Sequence, residues 1–267
     1  VTHSHAEIRA LLQLHGLTPS RALGQNFVGD ANTVRRIARL AGVGEGDRVV
    51  EVGPGLGSLS LALLETGAAL TVVEKDRFLV PILEQMLHGA RVVHADALQV
   101  DWHELLGDEP WTLVANLPYN VATPVVLEVL ETAPMVRRLL VMVQKEVGER
   151  LAATPRSKAY GAVSVKVAWS ATASVVGKVP PTVFVPKPNV DSALVLLDRH
   201  ANVGDDDERE RVFALVEAGF ATRRKMLRNN IAADEACFDA AGVAPTARAE
   251  ELDLDAWRRL AACATSN

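Results

Sequence analysis

The sequence predicts an α/β fold: a mainly parallel seven-stranded sheet covered by helices on both faces, followed by a small all-α domain. Three observations predict it. Short β-branched runs alternate with helix-length amphipathic stretches through the first half of the chain, which is the pattern of strands joined by helical crossovers. Two later strand candidates flank a proline-rich stretch, and after His200 the pattern is wholly helical.

Residues 5–14 carry Ile8, Leu11, Leu12 and Leu14 at helical spacing, followed by Gly16, Pro19 and a polar segment that reaches Gly24-Gln25-Asn26-Phe27. A second amphipathic run, Val34, Ile37, Ala38 and Leu40, begins after Asp30, a residue suited to cap a helix. Strands are expected at 49–52, 70–73, 91–94, 113–115 and 139–143, with helices at 58–66, 78–88 and 122–132 between them. The pair 173–176 and 193–197 supplies the last strands of the sheet, and the prolines between them hold an extended loop. Helices at 207–219, 223–233 and 254–263 build the second domain. The boundary falls near residue 200, where Gly204 and the acidic run Asp205-Asp206-Asp207-Glu208 read as a solvated linker, giving domains of 1–200 and 201–267.

At 267 residues with 49% apolar side chains the chain can fill a substantial core. Its longest apolar runs, such as 139–143, are far too short to cross a bilayer, and the first twenty residues carry Glu7, Arg9 and several histidines in place of an apolar block. A soluble, cytoplasmic protein without membrane contact is expected. Cys237 and Cys263 lack metal-type spacing, so no metal site is expected; a disulfide is disfavoured, and both cysteines read as small buried apolar residues. The formal net charge of −5 speaks against nucleic acid as a partner, yet Arg223, Arg224, Lys225 and Arg228 fall within six positions. The two signs of charge are segregated.

Glu51-Val52-Gly53-Pro54-Gly55-Leu56-Gly57 follows the first strand of the alternating region and precedes a helix. Glycines there let backbone amides approach a ligand. The glycine spacing misses the dinucleotide fingerprint by one place, and no Gly-Lys-Ser/Thr of a phosphate loop is present. Glu74 closes the second strand about twenty residues later, where a carboxylate can accept from ribose hydroxyls. Asp96, ending the third strand in His94-Ala95-Asp96-Ala97-Leu98, can accept from an adenine amine, with Ala97 and Leu98 against the ring. Together these strand ends favour a nucleoside cofactor.

Asn116-Leu117-Pro118-Tyr119 follows the fourth strand and so lies at the same carboxyl edge. Two acceptors, the Asn116 side-chain oxygen and the Leu117 carbonyl, can draw an aromatic amine toward tetrahedral geometry and aim its lone pair at a methyl on a sulfonium. Pro118 stiffens the turn, and Tyr119 offers a ring on which a base can stack. An adenine in folded nucleic acid is reached by flipping it out, and Phe184 in the proline-bounded loop is the candidate for its opposing face.

With these residues in hand, the chain resembles the KsgA (RsmA) family of small-subunit ribosomal RNA adenine dimethyltransferases over nearly its whole length. The resemblance rests on Gly24-Gln25-Asn26-Phe27, the Glu51–Gly57 loop, Glu74, Asp96, Asn116–Tyr119 with Asn120 and Thr123-Pro124, the stretch Phe184–Ser192, and Arg223-Arg224-Lys225 with Leu227-Arg228-Asn229-Asn230. It implies a Rossmann-like class I methyltransferase domain, S-adenosylmethionine as cofactor, and dimethylation of the N6 amines of two adjacent adenines near the 3′ end of 16S rRNA, with a role in ribosome biogenesis. The expected cofactor site is Gln25, Asn26, Val28, Glu51, Gly53, Gly55, Gly57, Glu74, Lys75, Asp96, Ala97 and Asn116; the expected catalytic set is Asn116, Leu117, Pro118, Tyr119 and Phe184.

Val28 stands where such proteins usually carry leucine, Ala122 where serine is common, and Met226 where threonine is usual. The first of these loosens cofactor packing slightly. RNA contact is expected from Arg223, Arg224, Lys225 and Arg228 on one helix face, extended by Arg150, Arg156 and Lys158, with the small-subunit RNA or its precursor as partner and a monomeric enzyme. Other readings stay open: a large-subunit rRNA adenine dimethyltransferase of the antibiotic-resistance type, or an assembly factor whose docking matters more than its methylation. DNA is disfavoured because no target-recognition insertion is present.

Overall fold

The computed structural model describes residues 2–20, 23–201, 204–222 and 225–264. Helix α1 (His5–Leu14) starts at a reciprocal cap, in which Glu7 N donates to Ser4 Oγ and Ser4 N donates to the Glu7 carboxylate. Ile8 and Leu12 bury its inner face, while Leu14 is exposed. After the short strand β1 (Phe27–Val28), α2 (Ala31–Ala41) begins at the expected Asp30, whose carboxylate accepts from Thr33 N at 2.6 Å. It stops at Gly42, which takes a left-handed conformation.

The alternating region is β2 (Arg48–Val52), α3 (Ser58–Leu64), β3 (Ala69–Glu74), α4 (Val80–Met86), β4 (Arg91–His94), α5 (Trp102–Leu106), β5 (Trp111–Asn116), α6 (Ala122–Thr132) and β6 (Val136–Gln144). There follow α7 (Lys145–Leu151), α8 (Ala162–Ser170), β7 (Ala171–Val179), β8 (Phe184–Val185) and β9 (Ser192–Arg199). Helices α9 (Asp206–Phe220), α10 (Glu235–Ala241) and α11 (Leu254–Cys263) complete the described chain.

Seven strands form one sheet in the order β4-β3-β2-β5-β6-β9-β7. The pairs β4/β3, β3/β2, β2/β5 and β5/β6 are parallel and β6/β9 is antiparallel. The near-continuous burial of Val49–Val52 and of Leu139–Val143 is what a parallel sheet covered on both faces requires. The strand order reverses between β2 and β5, and a crevice opens at the carboxyl ends of the strands beside such a reversal. Gly53 and Asn116 stand at those two ends. A separate two-stranded ribbon pairs β1 with β8, placing Val28 opposite Phe184.

Arg199 fastens the helix that follows the reactive loop. Its guanidinium donates to the carbonyls of Val129, Leu130, Ala133 and Val136 at 2.8–3.1 Å. Val129, Leu130 and Ala133 lie at the end of α6 and Val136 opens β6, so one guanidinium ties the helix end to the strand that follows it. Burial lowers the guanidinium pKa to about 10, so it stays charged at neutral pH.

The chain divides into two compact units, Val1–Gly148 with Ser174–Arg199, and Glu149–Ala173 with the residues from His200 onward. This corrects the reading of 1–200 as one domain. Segment 149–173 goes with the second unit because Val165 and Trp169 of α8 are buried in a cluster with Val212 and Val216 of α9 and Trp257 and Leu260 of α11. The first unit has its own core, which includes Ile8, Ile37, Leu63, Leu83, Leu140 and Leu194.

Two further expectations are corrected. The stretch 223–233 is not a continuous helix: Met226 has extended backbone (ψ 145°) and only the 3-10 turn Leu227–Asn229 follows, while Arg223 and Arg224 lie outside the described residues. Cys237 and Cys263 are joined in a disulfide, with Cα atoms 5.5 Å apart, which ties α10 to α11. Only Cys237 is buried; Cys263 is exposed. The helices expected from the sequence include none at α5, α7, α8 or α10, of 5, 7, 9 and 7 residues. Among the described residues no helix is long and apolar enough to cross a membrane.

Candidate active site

One pocket of about 290 Å³ opens at the carboxyl edge of the sheet in the first unit, and strand ends and one N-terminal segment build its wall. Of the expected cofactor and catalytic residues, all line it except Gly57 and Phe184. Gly57 instead caps α3 with a φ of 78°, between Leu56 and Ser58, which both line the wall. Phe184 is only 2% exposed and packs in the core of the unit, so the structure does not present its ring as a second wall of the pocket.

All three glycines of the loop take positive φ, and at Gly55 space is limiting as well. A Cβ on Gly55 (φ 60°) would sit 2.8 Å from the Phe27 ring, so a larger residue would drive the loop off the N-terminal segment. Beneath the loop, the buried Glu74 carboxylate accepts from Gly55 N at 3.2 Å and from Asp76 N at 2.7 Å. Each carboxylate oxygen keeps further lone-pair capacity for a ligand's hydroxyls. Burial pushes the Glu74 carboxyl above its ordinary value, and the two backbone donors oppose that rise.

Glu51 is 1% exposed and receives a hydrogen bond from Ser60 Oγ at 2.5 Å. Burial pushes its pKa up to about 8, with Ser60 lowering it and the neighbouring Glu74 charge raising it further. The folded protein therefore holds a proton that the unfolded chain, with the ordinary value of 4.5, releases. The stability linked to that proton is fully present below the unfolded value and is lost as pH rises through about 8. Glu51→Gln, which cannot ionise, is expected to flatten the fall in thermal midpoint across this window; an unchanged pH profile would show that Glu51 does not carry the proton.

Asp96 lies just past the end of β4 and accepts from Leu98 N at 3.1 Å and from Lys75 Nζ at 2.6 Å. The Lys75 hydrogen bond holds its carboxyl below the usual value. Gln25 is engaged within the protein at both ends of its amide, donating to Asp76 Oδ2 and accepting from Ser20 N, each at 2.8 Å. It braces the N-terminal segment against the β3 end.

The reactive loop is oriented from the same segment. Asn116 Nδ2 donates to the Asn26 carbonyl at 3.0 Å. A carbonyl only accepts, so the amide nitrogen must be the atom that faces it, and the side-chain oxygen is turned away from Asn26. Gly24 (φ 64°) packs against the loop so closely that an added Cβ would meet Asn120 Oδ1 at 2.7 Å and Pro118 Cβ at 3.0 Å. Leu117 N is anchored on the Met142 carbonyl of β6. The Tyr119 hydroxyl lies 2.8 Å from Ser192 Oγ at the start of β9.

The sequence reading named the loops but missed their braces: Ser60, Asp76, Ser192 and the close approach of Gly24. Asp76, two places after Glu74, was within reach of a sequence argument. Ser192 was not, because 73 residues separate it from Tyr119. Of the expected RNA contacts, Arg156, Lys158, Lys225 and Arg228 are exposed and Arg150 is partly so. All five belong to the second unit.

Comparison with known proteins follows the same lines. The family model described as ribosomal RNA adenine dimethylase matches residues 17–265. A protein of Leifsonia xyli named ribosomal RNA small subunit methyltransferase A is 53% identical over 96% of both chains. A protein of Cutibacterium acnes with the same name is 50% identical over 93% of this chain and 90% of its own. Among solved structures, the 23S rRNA methyltransferase ErmE matches 89% of this chain and 98% of its own at 28% identity, with a TM-score of 0.68. A dimethyladenosine transferase from Plasmodium falciparum matches 88% of this chain and 95% of its own with a TM-score of 0.71; at 19% identity it speaks to the fold alone. Both are class I methyltransferases, and their architecture is that of the sheet described above.

Proposed function

Because this chain belongs to the ribosomal RNA adenine dimethylase family, and is thus an rRNA adenine dimethyltransferase, we propose that it uses S-adenosylmethionine to dimethylate the N6 amines of two adjacent adenines near the 3′ end of 16S rRNA in the small ribosomal subunit. The observation that carries the reading is the Asn116–Asn26 hydrogen bond, which fixes the side-chain oxygen of Asn116 as an acceptor facing away from its brace.

The residues present suit the cofactor. Glu74 is a buried carboxylate with spare acceptor capacity, Asp96 is a second carboxylate on the same edge, and Gly53 and Gly55, the latter with no room for a Cβ, line the same pocket. S-adenosylmethionine supplies an electrophilic methyl on a sulfonium. The protein supplies orientation: Asn116 Oδ1 and the Leu117 carbonyl accept from the adenine amine, which localises its lone pair, and Tyr119 stacks on the base. The proton left on the methylated amine goes to water, so the scheme asks for no general base and no metal ion. One copy of the chain holds every group named.

The small subunit is favoured over the large one because relatives named for the small subunit share about half of all positions over nearly the full chain, whereas ErmE shares 28%. The test is methyl transfer to unmethylated small subunits, naked 16S rRNA and large subunits side by side, with the modified bases mapped. Modification of two adjacent 3′-proximal adenines in small-subunit RNA is expected; transfer to large subunits instead would select the resistance-type reading. The same substrate implies a role in small-subunit maturation.

For RNA contact, the second unit is the candidate. Replacing Arg223, Arg224 and Lys225 by Ala is expected to weaken RNA binding and make its salt dependence shallower by roughly one unit of slope per lost phosphate contact. A salt slope equal to that of the unaltered protein would return these residues to ordinary solvated surface.

A further inference from the structure

Tyr119 is half-buried on the wall of the pocket, and its ring serves a base best when it is already in place before the base arrives. Two single bonds turn that ring. The first, which swings the whole ring, is held when the far end of the side chain is tied down, whereas the hydroxyl oxygen lies on the axis of the second; the structure makes that tie through a hydroxyl pair, Tyr119 Oη and Ser192 Oγ, 2.8 Å apart. Ser192 is fully buried, with 0% exposure. Its backbone belongs to the β6/β9 ladder, opposite Gln144, so the hydroxyl is held by a rigid element and not by another loop. A buried hydroxyl is costly without a partner, and Tyr119 is the partner it has.

We propose that Ser192 is a positioning residue for methyl transfer, its hydroxyl holding the Tyr119 ring in the place where the target adenine stacks on it. The inference rests on the reading of Tyr119 as the stacking surface. Burial pushes the Tyr119 phenol above its ordinary value, with the Asp191 charge adding to the rise and the Ser192 hydrogen bond opposing it. The phenol is thus neutral near pH 7 and able to donate or accept. Ordering the ring in the free protein spares the complex that entropy, so the benefit falls on productive RNA binding and turnover and not on the cofactor.

The experiment compares Ser192→Ala, Tyr119→Phe, the double variant and Tyr119→Ala on unmethylated small subunits, with cofactor affinity measured in parallel. Ser192→Ala and Tyr119→Phe are each expected to lower kcat/KM for the RNA about three- to tenfold, with cofactor Kd unchanged. Because each removes the same bond, the double variant should be no worse than either single one. The chain has two tyrosines, so tyrosine labelled with ¹³C at Cζ gives two resonances; Ser192→Ala should move that of Tyr119 and leave that of Tyr160 in place. Additive losses in the double variant, or full turnover in Ser192→Ala beside a strong loss in Tyr119→Ala, would overturn the tether alone. Full turnover in Tyr119→Ala would overturn the stacking surface and the tether with it. Should Ser192→Ala not fold, Tyr119→Phe still decides: an unchanged kcat/KM refutes the tether.

Discussion

Asn116→Ala is expected to lose on the order of 10²- to 10³-fold in kcat while still binding S-adenosylmethionine measurably. The variant removes one of the two acceptors aimed at the reacting amine. An amine whose lone pair stays delocalised into the ring is a poor nucleophile, and the rigid placement of the acceptor is what the Asn26 carbonyl provides. Asn116→Asp sharpens the test. It keeps an acceptor oxygen but sets a second oxygen against the Asn26 carbonyl, where the amide nitrogen had donated at 3.0 Å. Two acceptors in that position repel, so the aspartate variant should also turn over poorly although its side chain is nearly the same size. Single-turnover methylation with cofactor in excess measures both; near-normal rates in Asn116→Ala would remove the proposed role of the loop.

Glu74→Ala is expected to weaken cofactor affinity by about 30- to 300-fold, with the chemical step much less affected once the cofactor is saturating. The size follows from losing charge-assisted hydrogen bonds worth about 1.5–3 kcal/mol each before relaxation. The carboxylate also holds the Gly55 and Asp76 amides in the free protein, so part of the loss comes from a slackened glycine loop. Glu74→Gln separates the two contributions, since its amide oxygen can keep one backbone donor but not the full acceptor set. Calorimetry with S-adenosylmethionine reads the result, and an unchanged Kd in Glu74→Ala would refute the ribose assignment.

These expectations were within reach of the sequence because the groups concerned sit at strand ends. Once β-branched runs are spaced by helix-length segments, the residues closing those runs must share one edge of a parallel sheet. Glu74, Asp96 and Asn116 are therefore neighbours by topology. The Asp30 cap and the span of α11 were legible for a related reason, each being a local property of a few consecutive residues.

What escaped the sequence is long-range or short. The pairing of Ser192 with Tyr119 and the burial of Phe184 depend on how the β8–β9 segment returns to the sheet, which no local pattern records. The transfer of 149–173 to the second unit depends on which core the apolar face of α8 joins. The basic stretch around Lys225 carries residues at helical spacing, yet the extended backbone at Met226 interrupts it. The disulfide between Cys237 and Cys263 depends on the packing of α10 and α11, which brings together two residues 26 positions apart.

The central claim is that this carboxyl edge transfers two methyl groups to one adenine amine. Its most direct test is nucleoside analysis by mass spectrometry of small-subunit RNA, isolated after incubation of unmethylated subunits with the purified protein and S-adenosylmethionine. The account predicts N6,N6-dimethyladenosine at adjacent positions with the intact protein, and its near absence with Asn116→Ala. Methyl groups found on any other atom, or the dimethylated nucleoside formed equally by Asn116→Ala, would contradict it.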